Sequence, residues 1–149
     1  MVIERTTSIE QNKEIARRFI DEVFVRQDAD AVDELASADF TPHTWGRTPP
    51  GRAALRQAMQ RAGRGASDPV FTIEDVIAEG DKVAVRLTSS ATHSGTFMGK
   101  PATGNRYTVQ EIHIFRIRDG QVSEHWHEFD KMSLLQQLEP DPALEDAER

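Results

Sequence analysis

The apolar residues in the N-terminal part of the chain recur at the spacing of a helical face. Six apolar side chains fall three or four positions apart and predict a helix over residues 9–25. Either Thr7 with Glu10 or Ser8 with Gln11 could form a capping box at its start. The chain is therefore expected to open on an amphipathic helix.

Two further helices are predicted before residue 65. Asp30 can cap a short helix that runs to Ala36, and the helical period returns over residues 52–62, where two following glycines mark its end. The intervening segment 38–51 contains three prolines and two glycines, which interrupt helices and strands alike. We expect this segment to be a loop that carries aromatic side chains.

After residue 65 the hydrophobic period changes from that of a helix to that of a strand. The alternation predicts one hairpin from residues 70–77 and 83–93, and a second from residues 107–117 and 122–129. The closing MSLLQQL segment is predicted to be a short helical or irregular cap. Helices followed by antiparallel strands indicate an α+β fold, with the helices packed on one face of a strongly curved antiparallel sheet.

The second hairpin brings chemically active side chains together. A three-residue loop ending at Gly120 would place His113 opposite His125 and Glu111 opposite His127, all on one face. Glu111 and His113 share a face whatever the register, as do His125 and His127, because the members of each pair lie two positions apart in one strand. The other face, which is predicted to be core, carries Ile112, Ile114, Val122 and Trp126.

Charge and length restrict the classes of partner. The 149 residues include 25 acidic and 18 basic side chains, a formal charge of −7, which disfavours a nucleic-acid partner. We expect one domain over residues 1–138, followed by an acidic tail over residues 139–149. No apolar run is long enough for a signal peptide or a membrane span, so a cytoplasmic protein without a membrane partner is predicted.

The absence of cysteine restricts the chemistry. Without cysteine the chain has no disulfides, no thiol nucleophile and no thiolate metal ligands. Imidazoles and carboxylates remain as the candidate groups for acid–base catalysis. A neutral imidazole, whose ordinary pKa is about 6.5, can remove a proton near neutral pH without a large shift.

Several segments resemble the SnoaL-like polyketide cyclases and the related ester cyclases. The most specific are GTFMGKPATG at 95–104 and HIFRIRDGQVSEHW at 113–126, and the similarity extends over residues 10–138. The resemblance implies a cone-shaped α+β barrel with an apolar pocket, a hydrophobic small-molecule substrate and a homodimer. It also implies a reaction without cofactors, in which proton removal beside a carbonyl precedes aldol ring closure.

The resemblance also suggests catalytic residues. In the polyketide cyclases an aspartate on the last strand acts as acid and base near a histidine on the preceding strand. His113 matches that histidine, whereas the position of the aspartate carries His127. Asp130 could supply a carboxylate from a shifted strand end, or could cap the terminal helix. We predict His113, His127 and Asp130 to be catalytic.

Eight more residues are predicted to contact substrate. Tyr107 could polarise a carbonyl or lie on a surface strand, and the Phe and Met side chains of the set could equally be core residues. The eight are His43, Trp45, His93, Phe97, Met98, Tyr107, Glu111 and His125.

Three functions are compatible with these residues. The first is acid–base chemistry on a carbonyl compound: enolisation, cyclisation or isomerisation. The second is cofactor-independent hydroxylation of an aromatic polyketide, and the third is a binding module without catalysis. The histidines together with Glu111 or Glu128 also have the donor types of a divalent metal site. Because the resemblance implies imidazole pockets that work without metal, no metal and no cofactor is predicted.

Overall fold

The computed structural model describes residues 6–140 and confirms the α+β class. Most of the predicted acidic tail, from residue 141 onward, lies outside the described residues. In chain order the elements are helix α1 (Ile9–Arg18), a π-helix (Phe19–Val25), α2 (Ala29–Leu35), β1 (Ala36–Pro42), α3 (Arg52–Gly65), β2 (Ala66–Glu79), β3 (Lys82–His93), β4 (Arg106–Arg118), β5 (Gln121–Phe129) and α4 (Lys131–Gln137).

The five strands form one open sheet in the order β1-β5-β4-β3-β2. The two predicted hairpins are confirmed as the antiparallel pairs β2–β3 and β4–β5, and β3 also pairs with β4. The sheet is mixed, however, because β1 lies parallel to β5 at the edge. The segment predicted to be a loop from residue 38 therefore begins as a strand. Its pairing is short and irregular, and Pro42 is tolerated because it lies at the end of an edge strand.

The first predicted helix consists of two kinds of helix. Ser8 and Gln11 form the capping box that starts α1. From Phe19 the backbone continues as a π-helix, so that the Arg26 N–H donates to the Asp21 carbonyl five residues back at 2.9 Å. Longer π-helical turns are rare and concentrate at functional sites. The second helix starts two residues earlier than predicted, because Asp28 caps it.

The main core lies between the helices and the inner face of the sheet. Phe19 of the π-helix stacks on Phe40 of β1 at 5.8 Å and contacts Phe115 of β4 at 5.5 Å, and all three side chains are fully buried. A second cluster lies towards α4 and includes Tyr107 and Leu134. Each buried ring removes enough apolar area from water to contribute about 2–3 kcal/mol.

The predicted register of the β4–β5 hairpin is wrong by two residues. The turn has only two residues, Asp119 and Gly120, both with positive φ, and a bulge follows in β5. His113 therefore pairs with His127 rather than His125, and Glu111 pairs with Phe129. Because the slip is an even number of residues, the histidines and Glu111 still share one face.

The predicted core face of this hairpin is also wrong. The face with the histidines is the buried inner face, and Ile112 on the other face is 49% exposed. The helices cover the side on which Phe115 lies, and hydrogen bonds between the imidazoles allow that side to be polar. Val122 is buried as predicted, because the bulge returns it to the inner side.

Candidate functional site

Two adjoining chambers lie between the helices and the inner face of the sheet. The first chamber has a volume of about 380 Å³ and the second about 240 Å³. Most of their lining is apolar. The two chambers have seven lining residues in common: Phe24, Gln27, Ala62, Phe71, Glu111, His127 and Phe129.

A directed chain of hydrogen bonds forms one wall of the first chamber. The Trp45 indole Nε1–H donates to Nδ1 of His125 at 3.0 Å. Nε2 of His125 lies 2.9 Å from Nδ1 of His113, and Nε2 of His113 lies 3.2 Å from Oε1 of Glu111. We call these four residues the imidazole chain.

The two ends of the imidazole chain fix its direction. An indole N–H can only donate, and an ionised carboxylate can only accept. His125 therefore accepts at Nδ1 and donates at Nε2, and His113 does the same. Both nitrogens of His113 and His125 are occupied, so neither side chain has a lone pair for a substrate.

His127 reaches Glu111 from the facing strand. Its Nε2 lies 2.6 Å from Oε1 of Glu111, the oxygen that also accepts from His113. Its backbone N–H donates to Oγ1 of Thr44 at 2.8 Å. Among residues 6–140 its Nδ1 has no hydrogen-bond partner, and the residue lines both chambers. His127 thus offers the cavity a lone pair backed by a carboxylate.

Burial and hydrogen bonding set the charges in the cluster. Burial alone would raise the pKa of Glu111, but the hydrogen bonds from His113 and His127 outweigh it and hold the pKa well below its ordinary value. Burial lowers the pKa of His113 and, more strongly, that of His125. Two neutral imidazoles therefore lie beside one ionised carboxylate at neutral pH.

Local structure explains how these groups meet. The parallel pairing of β1 with β5 brings the following segment over the inner face, where Thr44 and Trp45 reach β5. The π-helix places the Phe24 ring 5.7 Å from the ring of His113 and 5.5 Å from that of His125. The cluster is thus covered by aromatic rings, which exclude water and strengthen its electrostatic interactions.

The carboxylate and imidazoles of this cluster are also the donor types of a metal site. One ligand atom each from Glu111, His113 and His127 lie within 4.8 Å of one another. The tautomers described above, however, point N–H groups rather than lone pairs at the carboxylate. A metal bound to Nε2 of His113 would require the proton of that nitrogen to move to Nδ1, and His125 would have to change its tautomer as well. Nδ1 of His125 would then carry a proton that points at the Trp45 N–H. The arrangement is therefore organised for proton chemistry.

Trp45, Glu111, His113, His125 and His127 line the first chamber. Phe97 and Tyr107 line the second chamber, with their rings stacked at 6.2 Å, and Met98 packs against the cluster around them.

Three predicted site residues have other local roles. Asp130 caps α4, and its carboxylate accepts from the Ser133 N–H at 3.1 Å. His43 lies on the other face of the sheet, stacked on Trp126 at 4.6 Å. His93 is fully buried, where its ring bonds Thr103 and Lys100 and holds the segment between β3 and β4. The structure brings none of the three to the lining of either chamber.

The predicted site omits several lining residues. The sequence places Phe24 on the apolar face of the first predicted helix. It does not indicate that a π-helix turns this ring towards the histidines. Gln27 was not singled out, although its φ of 53° marks an unusual backbone at the end of that helix. The other lining residues of the first chamber that were not predicted are Thr44, Ala58, Met59, Ala62, Phe71 and Phe129.

An open curved sheet with helices over an apolar cavity defines a small-molecule-binding protein of the nuclear-transport-factor-like cone fold. The chain belongs to the SnoaL-like polyketide cyclase family, whose family model matches residues 14–138. No helix within residues 6–140 has the length and apolar character needed to cross a bilayer.

Individual relatives are similar over different lengths. Aklanonic acid methyl ester cyclase DnrD of Streptomyces peucetius is 37% identical over 67 residues, 44% of this chain and 46% of the relative. The alignment thus spans about half the length of this curated relative. The solved structure of TsrD from Streptomyces laurentii has a TM-score of 0.81 at 28% identity, covering 89% of this chain and 98% of TsrD. AclR from Streptomyces galilaeus, described as a hydroxylase, has a TM-score of 0.75 at 27% identity, covering 88% and 97%.

Proposed function

We propose that this protein is an enzyme that removes a proton beside a carbonyl of a hydrophobic, polyketide-like small molecule, without a cofactor. The observation that carries the proposal is the free Nδ1 of His127, held in the cavity by the hydrogen bond between Nε2 and Glu111. This is the arrangement by which a carboxylate orients a histidine base and stabilises the imidazolium that forms.

The pair compensates for the residue missing from the family pattern. His127 stands where the polyketide cyclases have an aspartate, and Glu111 supplies the carboxylate from the neighbouring strand. Nδ1 of His127 takes the proton, and the electron pair of the C–H bond becomes part of an enolate. In a cyclisation the enolate carbon attacks a second carbonyl of the same molecule, and the proton returns to the new alkoxide. His113 acts in this proposal by fixing Glu111, not by reaching the substrate.

The test measures proton removal directly. α-Tetralone, a bicyclic ketone, exchanges its α-protons in D2O, and proton NMR follows the rate. We expect the wild type to accelerate this exchange and His127→Ala to lose at least about 100-fold of the acceleration. Glu111→Gln keeps the shape but removes the charge that stabilises the imidazolium, so a loss on the order of 10- to 100-fold is expected.

The control is His43→Ala, which changes a histidine on the outer face and should leave exchange unchanged. Circular dichroism verifies that each variant is folded. A folded His127→Ala that exchanges at the wild-type rate would refute the role of this base. Binding of α-tetralone with no acceleration by the wild type would favour the binding module instead. Conversion of aklanonic acid methyl ester, the substrate named for DnrD, tests ring closure.

Hydroxylation is the second candidate, because AclR shares the fold. In that reaction His127 would remove the acidic proton of the substrate, and the anion would pass an electron to O2. Recombination of the two radicals would give a peroxide that loses water and leaves one oxygen atom on the ring. Oxygen uptake after addition of an anthrone separates the two activities, since enolisation and cyclisation consume no oxygen.

A homodimer in the cytoplasm is part of the same proposal. Exposed apolar side chains outside the cavity, including Val70, Ile77 and Ile112, offer a surface for a second copy. Sedimentation velocity at micromolar concentration tests the dimer, and a monomer there would refute it.

A further inference from the structure

Tyr107 carries a hydroxyl that the proposed reaction does not yet use. The residue is only 7% exposed and lines the second chamber. Among residues 6–140 its hydroxyl makes no hydrogen bond, whereas the other polar groups nearby are engaged. Ser90, for example, lines the same chamber, and its Oγ accepts from Nη2 of Arg106 at 3.1 Å. Because Tyr107 lines the chamber and its hydroxyl has no partner among the described residues, that hydroxyl is available to a ligand.

The surroundings of Tyr107 restrict the ligand. Phe97 stacks parallel to its ring and fixes the ring plane. The remaining wall of the second chamber is apolar, apart from Glu111, His127 and a few small polar groups. The wall therefore suits a flat hydrocarbon skeleton. Burial and the charge of Glu111 raise the pKa of Tyr107, so the phenol stays protonated and its O–H can donate to an acceptor on the ligand.

We infer that the second chamber binds the carbonyl end of an aryl ketone, with the Tyr107 hydroxyl donating to the carbonyl oxygen. This rests on the proposed function. Because His127 lines the same chamber, the carbon beside that carbonyl comes within the reach of the base. When Nδ1 of His127 takes the α-proton, the C–H electron pair forms the C=C bond and the carbonyl π electrons move to oxygen. The Tyr107 hydrogen bond to that oxygen strengthens as the charge develops.

The test compares two ligands that differ by one carbonyl oxygen. Calorimetry or NMR titration measures the binding of α-tetralone and of tetralin, its hydrocarbon counterpart, to the wild type and to Tyr107→Phe. We expect the variant to bind α-tetralone about 3- to 10-fold more weakly, as for the loss of one hydrogen bond, and to bind tetralin unchanged. Infrared difference spectra of carbonyl-labelled α-tetralone should show its C=O stretch at higher frequency in the variant.

Unchanged α-tetralone binding together with an unchanged C=O frequency would overturn the inference. An equal loss for both ligands would also overturn it, because that result means a packing role. Tetralin binding at wild-type affinity shows that Tyr107→Phe is folded. Both measurements are made at equilibrium and need no turnover. If the wild type fails to accelerate proton exchange while the effect of Tyr107 on binding persists, the proposed reaction is wrong and the carbonyl subsite remains.

Discussion

Trp45 and Glu111 hold the two ends of the imidazole chain. Every imidazole in the chain could adopt either tautomer by itself, and only a neighbour that can solely donate or solely accept removes the choice. Trp45 supplies that neighbour for His125, and Glu111 supplies the opposite end. The lone pair left for chemistry is then the one on Nδ1 of His127.

Replacing Trp45 should leave a buried nitrogen of His125 without a partner. In Trp45→Phe, Nδ1 of the buried His125 loses its donor, whereas Glu111 still accepts from Nε2 of His113, so we expect both imidazoles to keep their tautomers. We also expect a free energy of unfolding about 1–3 kcal/mol lower. Nitrogen-15 NMR of the imidazoles reports the tautomers, and chemical denaturation reports the stability.

Trp126→Phe is the matched control, since this indole lies on the other face, stacked on His43. It should leave both imidazoles in the wild-type form. Mixed tautomers in Trp45→Phe would show that Glu111 alone does not set the direction of the chain.

At the scale of elements, the ends of strands and helices decide which side chains reach the cavity. The two-residue turn and the bulge of the β4–β5 hairpin shift the register by two positions and keep the histidines on the inner face. Asp130 lies only three positions after His127, but β5 ends at Phe129. The carboxylate of Asp130 therefore accepts from the Ser133 N–H in the first turn of α4.

Asp130 variants test this structural role. Asp130→Ala should lower the free energy of unfolding by about 1 kcal/mol through loss of the cap, whereas Asp130→Asn should retain most of the stability. Both variants should keep the wild-type rate of α-proton exchange. A stable Asp130→Asn protein that has lost exchange activity would instead make Asp130 a member of the catalytic machinery.

At the scale of the whole molecule, the polar cluster makes stability depend on pH. His113 and His125 have lowered pKa values in the folded protein. Below about pH 6.5 the unfolded chain therefore binds more protons than the folded protein does. Their contribution to stability is complete above that pH and is lost on acidification. The lowered pKa of Glu111 adds a further loss below about pH 4.3.

The free energy of unfolding should therefore fall between pH 7.5 and pH 5.5, with a slope of up to about 3 kcal/mol per pH unit when both imidazoles contribute. Urea denaturation at a series of pH values measures it. Equal stability at pH 7.5 and pH 5.5 would show that the imidazoles of the chain titrate normally.

Much of the fold follows from local patterns. The helical period before residue 65, the alternation after it and the turn sequences define the helices and the two hairpins, because periodicity reports which side of an element is covered. Strand β1 was missed, since a short edge strand that pairs irregularly leaves little alternation in the sequence. The π-helix was missed as well, because its residues suit an α-helix equally well.

For the site, the sequence by itself determined which groups share a face: Glu111 with His113, and His125 with His127. That result depends only on the alternation within each strand. That this face is the inner one, that Trp45 donates to His125 and that His127 keeps a free nitrogen emerged only from the folded chain. Those properties depend on helix packing and on contacts between strands distant in sequence, such as Trp45 with His125, and periodicity within one element carries no information about them.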